Sequence, residues 1–332
     1  MSQVRKLLVL GTLLLACSGG GDPPSGGSGG RSGAGGSSTG SGGSGGNTPP
    51  SDPNAAVGLF TVRLVAPTQE VPTAYTAVSG KVDDGPQPSL VLWTTVMKTG
   101  GCELRTPLAP FCSQGCSGGA VCVARDTCGN YPNVKNVGKV DMKIGTHQVT
   151  LEAIGGVYQP PGSVLLPSPP ADEGAEITLK TSGGDYPSFM VSSKGIPPLE
   201  LKGPNPLPFS ADQPLKLEWT PGKAGNARVE VRVDISHHGG LKGEITCDID
   251  DTGSLDIPVA MTKGLIDLGV AGFPTVYVTR VAPGETKLSH GRVLLRVESS
   301  VERPLKIPNL DSCHEDKDCP APKKCQKDYK CA

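Results

Sequence analysis

The sequence alternates strictly between apolar and charged residues over residues 228–235, which read RVEVRVDI. Because the side chains of a β-strand point alternately to its two faces, this segment predicts a strand with one buried and one hydrated face. Ten other segments are also predicted to be strands, at 60–64, 89–97, 140–144, 149–154, 176–180, 188–193, 215–219, 244–249, 275–279 and 292–298. Short strands separated by Gly- and Pro-rich turns favour an all-β fold, and we expect an antiparallel β-sandwich, Ig-like or related.

One short helix is expected between the predicted strands at 244–249 and 275–279. Pro258 suits the first position of a helix, Asp256 precedes it as a candidate cap, and Gly269 can end it. Apolar residues between Pro258 and Gly269 supply the face that such a helix would bury. The prediction is therefore a sheet protein with a single helical element.

Composition divides the chain into segments of different character. The predicted segments are a signal peptide at 1–16, a tether at 17–56, a first β module at 57–160 with a cysteine-rich insertion at 102–128, a second β-sandwich module at 161–304, and a cysteine-rich tail at 305–332. A Pro-rich stretch near 160–170 sets the boundary between the β modules. A single continuous sandwich across that stretch is the alternative.

The first residues carry an export signal, in which Arg5 and Lys6 precede an apolar stretch that is too short to span a bilayer. The stretch ends in Leu-Leu-Ala-Cys at residues 14–17, which resembles the bacterial lipobox. This resemblance implies cleavage before Cys17 and acylation of its sulfur, so that the membrane becomes a partner through the lipid. Ser18 resembles the sorting signal for the outer membrane. An ordinary secretory signal followed by a chance cysteine is the alternative.

The segment after Cys17 is a Gly/Ser tract with five prolines, at positions 23, 24, 49, 50 and 53. It holds too few apolar side chains to offset the entropy of ordering it, so it is predicted to be a tether. A Gly-rich coil of this length has a root-mean-square span of about 30–35 Å. The expected location is therefore the cell envelope, with the folded part held off the outer membrane on its periplasmic or surface face.

Eleven cysteines suggest an oxidising compartment, and ten remain once Cys17 is set aside. The insertion holds Cys102, Cys112, Cys116, Cys122 and Cys128 and is expected to be loop-rich, without a strand pattern. Because five is an odd number, we expect Cys247 to pair with one of these five and to staple the insertion to the second strand group. A buried free Cys247 with one unpaired insertion cysteine is the alternative.

The tail holds four evenly spaced cysteines, Cys313, Cys319, Cys325 and Cys331, and almost no apolar residues. Disulfides must then replace a hydrophobic core, each contributing about 2–4 kcal/mol. The spacing resembles short cysteine repeats of secreted bacterial proteins and Dickkopf-type modules. A zinc site formed by the thiolates and His314 is disfavoured, because there is no Cys-x2-Cys pair and an oxidising compartment favours disulfides.

The charge balance excludes some partners. A net charge of −1 and a pI of about 6.5 favour neither nucleic acid nor an anionic membrane surface. No cofactor is predicted, because none of the nucleotide-binding or nucleophile motifs is present in the sequence. Trp93 and Trp219 both fall on strand patterns typical of core residues, which disfavours sugar binding by aromatic stacking.

An acidic turn carries the candidate metal ligands. The pattern Asp248-x-Asp250-x-Thr252-Gly253-x-x-Asp256 resembles the opening of a calcium loop. However, Val259 occupies the twelfth position, where an EF-hand needs Glu. His237, in a turn where neighbouring side chains should diverge, could add an imidazole beside Asp248 or Glu244. Solvated turn residues explain the same pattern, so no metal is assigned.

The string Asp251-Thr252-Gly253-Ser254 matches the letters of an aspartic-protease site. That chemistry needs two such carboxylates sharing a proton, and this chain has one copy. A turn between a strand and the expected helix is therefore the preferred interpretation.

Three runs together carry a family resemblance: CELRTPLAPFCSQGCSGGAVC at 102–122, ISHHGGLKGEITCDIDDTGSLDIP at 235–258 and LGVAGFPTVYVTR at 268–280. With the lipobox and tether, they resemble a set of lipoproteins found in large-genomed myxobacteria. The resemblance implies an envelope location and a structural role for these motifs. We expect a non-enzymatic lipoprotein that binds an envelope protein or extracellular ligand, or has a structural role. The alternative is a metal-dependent hydrolase or a calcium-binding adhesion module that uses the 248–256 turn.

Overall fold

The structure is a computed structural model that describes residues 54–68, 71–238 and 240–332. The predicted signal peptide, the lipidation site Cys17 and most of the tether lie outside the described residues. The described residues group into one compact unit. The all-β prediction is confirmed, and each of the eleven predicted strand segments overlaps a strand.

The described chain forms eighteen strands and one α-helix. In chain order these are β1 (Ala56–Val65), β2 (Tyr75–Val82), β3 (Leu92–Thr99), β4 (Cys102–Leu108), β5 (Val121–Ala124), β6 (Thr127–Gly129), β7 (Val140–Ile144), β8 (His147–Ile154), β9 (Val157–Gln159), β10 (Glu176–Thr181), β11 (Met190–Lys194), β12 (Leu207–Pro208), β13 (Leu215–Glu218), β14 (Arg228–Asp234), β15 (Glu244–Asp250), β16 (Ser254–Ile257), α1 (Val259–Asp267), β17 (Thr275–Leu288) and β18 (Gly291–Lys306).

Fourteen of these strands form one sheet, in the order β11-β10-β7-β8-β9-β2-β1-β18-β17-β14-β15-β4-β3, with β12 beside β18. The sheet is mixed, because β18 pairs in parallel with β1 and with β12, while its other pairings are antiparallel. The short pairs β13–β16 and β5–β6 lie outside it.

Strands β17 and β18 form a long hairpin that contributes to two hydrophobic cores. The first core gathers buried residues of β1, β2, β7 to β11 and the turn end of the hairpin, including Phe60, Met142, Leu179 and Leu295. The second core gathers buried residues of β4, β13 to β16, α1 and the open end of the hairpin, including Trp219. Both predicted sequence modules thus contribute strands to one sheet.

The first core is enclosed by strands on both sides. The sheet curls until β11 packs on β17, where the Ser193 hydroxyl donates to the carbonyl of Ala282 at 2.7 Å. Gly284 permits this approach, because a Cβ atom there would collide with the carbonyl oxygen of Ser192. The result is the sandwich-like packing that the alternation predicted.

The second core has a sheet on one side only. Its other side consists of α1, the short β13–β16 pair and an extended segment that buries Leu199, Leu201 and Phe209. The expected helix is present at Val259–Asp267, and it buries Met261, Thr262 and Leu265.

The expectation that residues 102–128 lack strands is wrong. Strands β4 and β5 lie there and β6 begins there. Of these, β4 belongs to the large sheet and pairs with both β15 and β3. The alternation is present in β4, since Cys102 and Leu104 are buried while Glu103 and Arg105 are partly exposed. It was missed because only two positions carry buried side chains and one of them is a cysteine.

Five disulfides join the ten cysteines of the described residues, as the even number predicted. The bonds are Cys102–Cys247, Cys112–Cys122, Cys116–Cys128, Cys313–Cys325 and Cys319–Cys331. Cys102 is the partner of Cys247 that the sequence left open, and the two residues lie opposite each other on paired strands. The four remaining insertion cysteines and the four tail cysteines each have crossed connectivity, in which the first of the four pairs with the third and the second with the fourth.

Candidate binding face of the large sheet

One face of the large sheet, formed by β3, β4, β15, β14 and β17, is polar and open to solvent. We call it the open face. Strand register places Arg232 between Thr246 on β15 and Tyr277 on β17. The alternate residues on β14, Val231 and Val233, are buried in the second core. The open face is therefore the hydrated side that the alternation in residues 228–235 predicted.

A groove of about 710 Å³ lies on the open face. Its lining includes Arg232, Thr246, Tyr277 and Thr279 from three neighbouring strands, together with the turn between β3 and β4. A second groove of about 470 Å³ adjoins it and shares the lining residues Gly101 and Asp248. The volume of the first groove is within the range of small-ligand sites.

Most charges around the grooves are paired across strands. The Lys98 ammonium lies 2.7 Å from the Glu103 carboxylate, and the Arg228 guanidinium donates to Asp248 at 2.6 Å. Hydrogen bonding to Asp248, the largest cause, raises the pKa of Arg228. Hydrogen bonding to Lys98 likewise lowers the pKa of Glu103. These pairs balance the wall charges of the first groove without burying them, whereas the second groove also holds Asp250 and Asp256.

A bidentate pair continues this pattern toward β18. The Arg296 guanidinium donates to both carboxylate oxygens of Glu230, at 3.0 and 2.8 Å. Two parallel hydrogen bonds fix both side chains in one geometry. The Glu230 side of the first groove is therefore also electrically balanced.

Arg232 differs from the other arginines of the open face. Its guanidinium lies 4.2 Å from the centre of the Tyr277 ring, a cation–π contact. The carboxylates of Asp234 and Glu244 lie 3.8 and 3.9 Å from its Nη1 atom, beyond hydrogen-bonding distance. Burial and the nearby Glu302 carboxylate raise the pKa of Tyr277. Arg232 is thus oriented by the Tyr277 ring together with two ion pairs that are too long for hydrogen bonds.

The three predicted aspartate ligands line the second groove, but with His237 they do not form a close cluster of three ligand atoms. Asp248 and Asp250 both accept hydrogen bonds from Arg228, at 2.6 and 2.7 Å. Asp256 lies on β16, opposite Lys216 of β13 in strand register. Among the described residues, only cysteine groups bring three possible ligand atoms together, and those cysteines are in disulfides.

His237 lies at the edge of the open face, away from Asp248. Its nearest carboxylate is that of Asp234, at 3.9 Å. Glu244, its other expected partner, accepts two hydrogen bonds from Arg105. The expectation that neighbouring turn side chains diverge is wrong here: the rings of His237 and His238 lie 4.0 Å apart, and His238 has a left-handed backbone with φ of 64°.

Asp251 of the Asp-Thr-Gly-Ser string is a buried structural anchor. Its carboxylate accepts hydrogen bonds from the Trp219 indole at 2.6 Å, from the Gly222 amide at 2.9 Å and from Arg280 at 2.7 Å. Burial raises the pKa of Asp251, but the hydrogen bonds from Arg280, Gly222 and Trp219 outweigh it, and the pKa is lowered. A carboxylate with these donors acts as a fixed acceptor within the fold.

The sequence analysis predicts no role for Arg280, although this residue has a central structural one. Its side chain is 1% exposed. Besides Asp251, it donates to the carbonyls of Pro197 and Pro198 at 3.2 Å and of Thr220 at 2.5 Å. Arg280 directly follows the predicted strand 275–279, and alternation places it on the same face as the buried Val276 and Val278. This position is the signal in the sequence for its burial.

The two tryptophans have different environments. Trp219 is 1% exposed and belongs to the second core, as expected. The expectation of a core position is wrong for Trp93, which is partly exposed, with the Arg105 guanidinium 4.6 Å from its ring centre. The reason is that β3 ends the sheet, so that neither of its faces is covered by a second layer.

The tail docks on the turn before β17. The Ser312 hydroxyl donates to the Gly272 carbonyl at 2.7 Å, and the Gly272 amide donates to the Asp328 carbonyl at 2.6 Å. The His314 ring stacks on Phe273 with centres 4.4 Å apart. The tail is therefore attached to the folded body by specific contacts as well as by the chain.

No protein-family model matches this chain, and a search of curated proteins finds no match. Within the part of the chain that the structure describes, no helix has the length and apolar character needed to cross a bilayer.

Proposed function

We propose that this chain is a non-enzymatic lipoprotein of the cell envelope, anchored by acyl chains on Cys17, with a head that acts by binding. The observation that carries the binding role is the groove of about 710 Å³ on the open face. Its wall charges form fixed pairs, and Arg232 stacks on Tyr277 while the nearest carboxylates, at 3.8 and 3.9 Å, lie beyond hydrogen-bonding distance. Such a surface is organised for hydrogen bonding to a ligand.

The envelope location is supported by different features. The lipobox-like sequence precedes Cys17, and five disulfides brace the described residues. Disulfides persist in oxidising compartments. Acyl chains contribute about 0.8 kcal/mol per buried methylene, so that more than one chain gives stable anchoring. The outer membrane is the proposed destination.

The anchoring is tested by labelling cells with radioactive palmitate. We expect the mature chain to be labelled and to fractionate with outer membranes, and Cys17→Ala to abolish both properties. Ser25→Ala is the matched control, since it changes a residue of the Gly/Ser tract and leaves both the acylated sulfur and Ser18 in place. Unlabelled wild-type protein, or a Cys17→Ala chain that still fractionates with membranes, would refute lipid anchoring.

The non-metal role is tested by thermal unfolding with EDTA and then with added calcium. A protein that binds no structural metal keeps its melting temperature, whereas a bound ion stabilises by mass action. We expect the melting temperature to stay within about 1 °C in all conditions. A shift of several degrees on chelation would favour the metal-dependent alternative at the 248–256 turn.

A further inference from the structure

We propose that the first groove of the open face, of about 710 Å³, binds a neutral polysaccharide chain. This inference rests on the proposed binding role but not on lipid anchoring. It names the ligand class that the charges, the hydrogen-bonding groups and the shape of the face favour together.

The charge pattern argues for an uncharged ligand. In the first groove each lining cation has a carboxylate partner: Lys98 lies 2.7 Å from Glu103, and Arg232 lies 3.8 and 3.9 Å from Asp234 and Glu244. Glu230 is matched in the same way by Arg296. The second groove differs, because Arg228 is its one lining cation beside Asp248, Asp250 and Asp256. A long-range field that would attract a polyanion or a strongly basic peptide needs unpaired charge of one sign. Locally paired charges instead leave carboxylate and guanidinium edges as short-range hydrogen-bonding groups.

The hydrogen-bonding groups suit hydroxyls. A sugar hydroxyl both donates and accepts, so it matches a surface where donors and acceptors alternate at short distance. The groove floor provides the guanidinium of Arg232 and the hydroxyl groups of Thr246, Thr279 and Tyr277 on adjacent strands. The carboxylates of Glu230 and Asp248 lie at its sides as acceptors.

Arg232 is held ready for such contacts. Stacking at 4.2 Å on Tyr277 restricts the guanidinium before a ligand arrives, while 43% of its side chain remains exposed. A side chain that is already ordered loses less conformational entropy on binding. The planar guanidinium also presents a flat surface on which the face of a sugar ring can pack.

The shape suits a chain rather than a single sugar. The first groove, of about 710 Å³, and the second, of about 470 Å³, share Gly101 and Asp248 and are both open to solvent. The second groove continues past the turn after β15 to β16, outside the large sheet, so the first groove is open at the end where the two adjoin. No described segment closes over the first groove. A polymer can lie along such a groove, with its ends free.

The inference is tested by affinity electrophoresis of the full-length lipoprotein in non-ionic detergent. Native gels contain dextran, a soluble β-glucan or xylan, with polygalacturonate and heparin as charged comparators. We expect at least one neutral polysaccharide to retard the wild-type protein, with an affinity that changes less than twofold between low salt and 0.5 M salt. Arg232→Met should weaken this binding about tenfold or more, because it removes charge-assisted hydrogen bonds.

Two variants separate a lost site from a lost fold. Arg125→Met is the matched control, because Arg125 is an exposed arginine of the insertion, outside the groove lining, and should bind like wild type. Arg232→Lys keeps the charge but not the planar fork and should bind with intermediate affinity. Both Arg232 variants should melt within about 2 °C of wild type, since the residue is on the solvent side of the sheet.

Three outcomes would overturn the inference. They are absence of retardation by every neutral polysaccharide, binding of the charged polymers alone, and equal binding by wild type and Arg232→Met. Palmitate labelling does not depend on Arg232, so a labelled chain that binds no glycan would refute this inference and leave lipid anchoring intact.

Discussion

The two hydrophobic cores differ in the elements that cover them. The first core is covered by paired strands on both sides, and its contacts are mostly apolar, as between the rings of Phe60 and Tyr158 at 5.9 Å. The second core is covered on one side by α1 and irregular segments. It alone contains a disulfide, Cys102–Cys247, among the five of the described chain.

The difference lies in where backbone carbonyls find hydrogen bonds. In the first core, strand ladders pair them with amides. Over the second core, the segment at 197–204 contains prolines, which lack an amide donor, and arginine side chains take the place of the ladder. Arg280 serves the carbonyls of Pro197 and Pro198, and Arg303 serves those of residues 201–204. An irregular layer therefore needs long, multivalent donors that a strand layer does not.

The largest effect is expected at Arg280. Arg280→Met leaves Asp251 buried without its cation and three carbonyls without a donor, which should cost about 3–5 kcal/mol of unfolding free energy. Denaturant unfolding followed by tryptophan fluorescence measures the loss. Arg303 makes similar hydrogen bonds nearer the surface. Arg303→Met should therefore cost only about 1 kcal/mol of unfolding free energy. Equal losses in the two variants would contradict the role assigned to buried arginine.

A cavity in the first core should cost somewhat less. Leu179 is fully buried on β10, and Leu179→Ala should lower the unfolding free energy by about 2–5 kcal/mol through lost burial and the space left behind. The neighbouring Lys180 points to solvent, so Lys180→Ala should change it by less than about 0.5 kcal/mol. A loss below 1 kcal/mol for Leu179→Ala would mean that the first core is not held by burial.

Removal of the buried disulfide should affect the second core next. Replacing both Cys102 and Cys247 with Ala opens a long covalent loop and should cost about 2–4 kcal/mol, measured as a lower denaturant midpoint. The same change at Cys319 and Cys331 should leave the main transition in place, because that bond closes a short loop within the tail. If the tail variant lowered the main transition as much, the tail would have to be part of the cooperative core.

Acid should weaken the second core through Asp251. Because its pKa is lowered in the fold, the ionised carboxylate adds stability that is present above the unfolded pKa of about 3.9 and is lost as pH falls through the folded value. Unfolding free energy should therefore fall more steeply below about pH 4 in wild type than in Asp251→Asn. Asp250→Asn, at an exposed carboxylate, is the control, and matching slopes in wild type and Asp251→Asn would reject this linkage.

Alternation was enough to locate most strands, but it failed where a small or covalent residue interrupts the apolar face. Strand β2 was not predicted, because Thr76 and Gly80 stand at two of its inward positions. The structure explains Gly80: a Cβ atom there would collide with the Phe60 ring. Strand β4 was missed for a related reason, since Cys102 provides one of its two buried side chains.

The candidate site could be predicted only in part. The sequence shows that Arg228, Glu230 and Arg232 share a hydrated strand face, because alternation fixes their side. It does not show that Tyr277 lies under Arg232, since this depends on the register between β14 and β17, which are about 45 residues apart in the chain. The Asp248, Asp250 and Asp256 pattern indicated a cation site, but Arg228 already pairs with the first two.

The sequence by itself determined the all-β class, the single helix, the segments that form most strands and the even set of ten cysteines beyond Cys17. These follow from local rules, namely side-chain alternation, turn residues and pairing arithmetic. Only the tertiary structure decided that Cys102 is the partner of Cys247, that Arg280 is buried on Asp251, and that one hairpin serves two cores. Those outcomes depend on contacts between residues far apart in the chain, whose free energies no local pattern encodes.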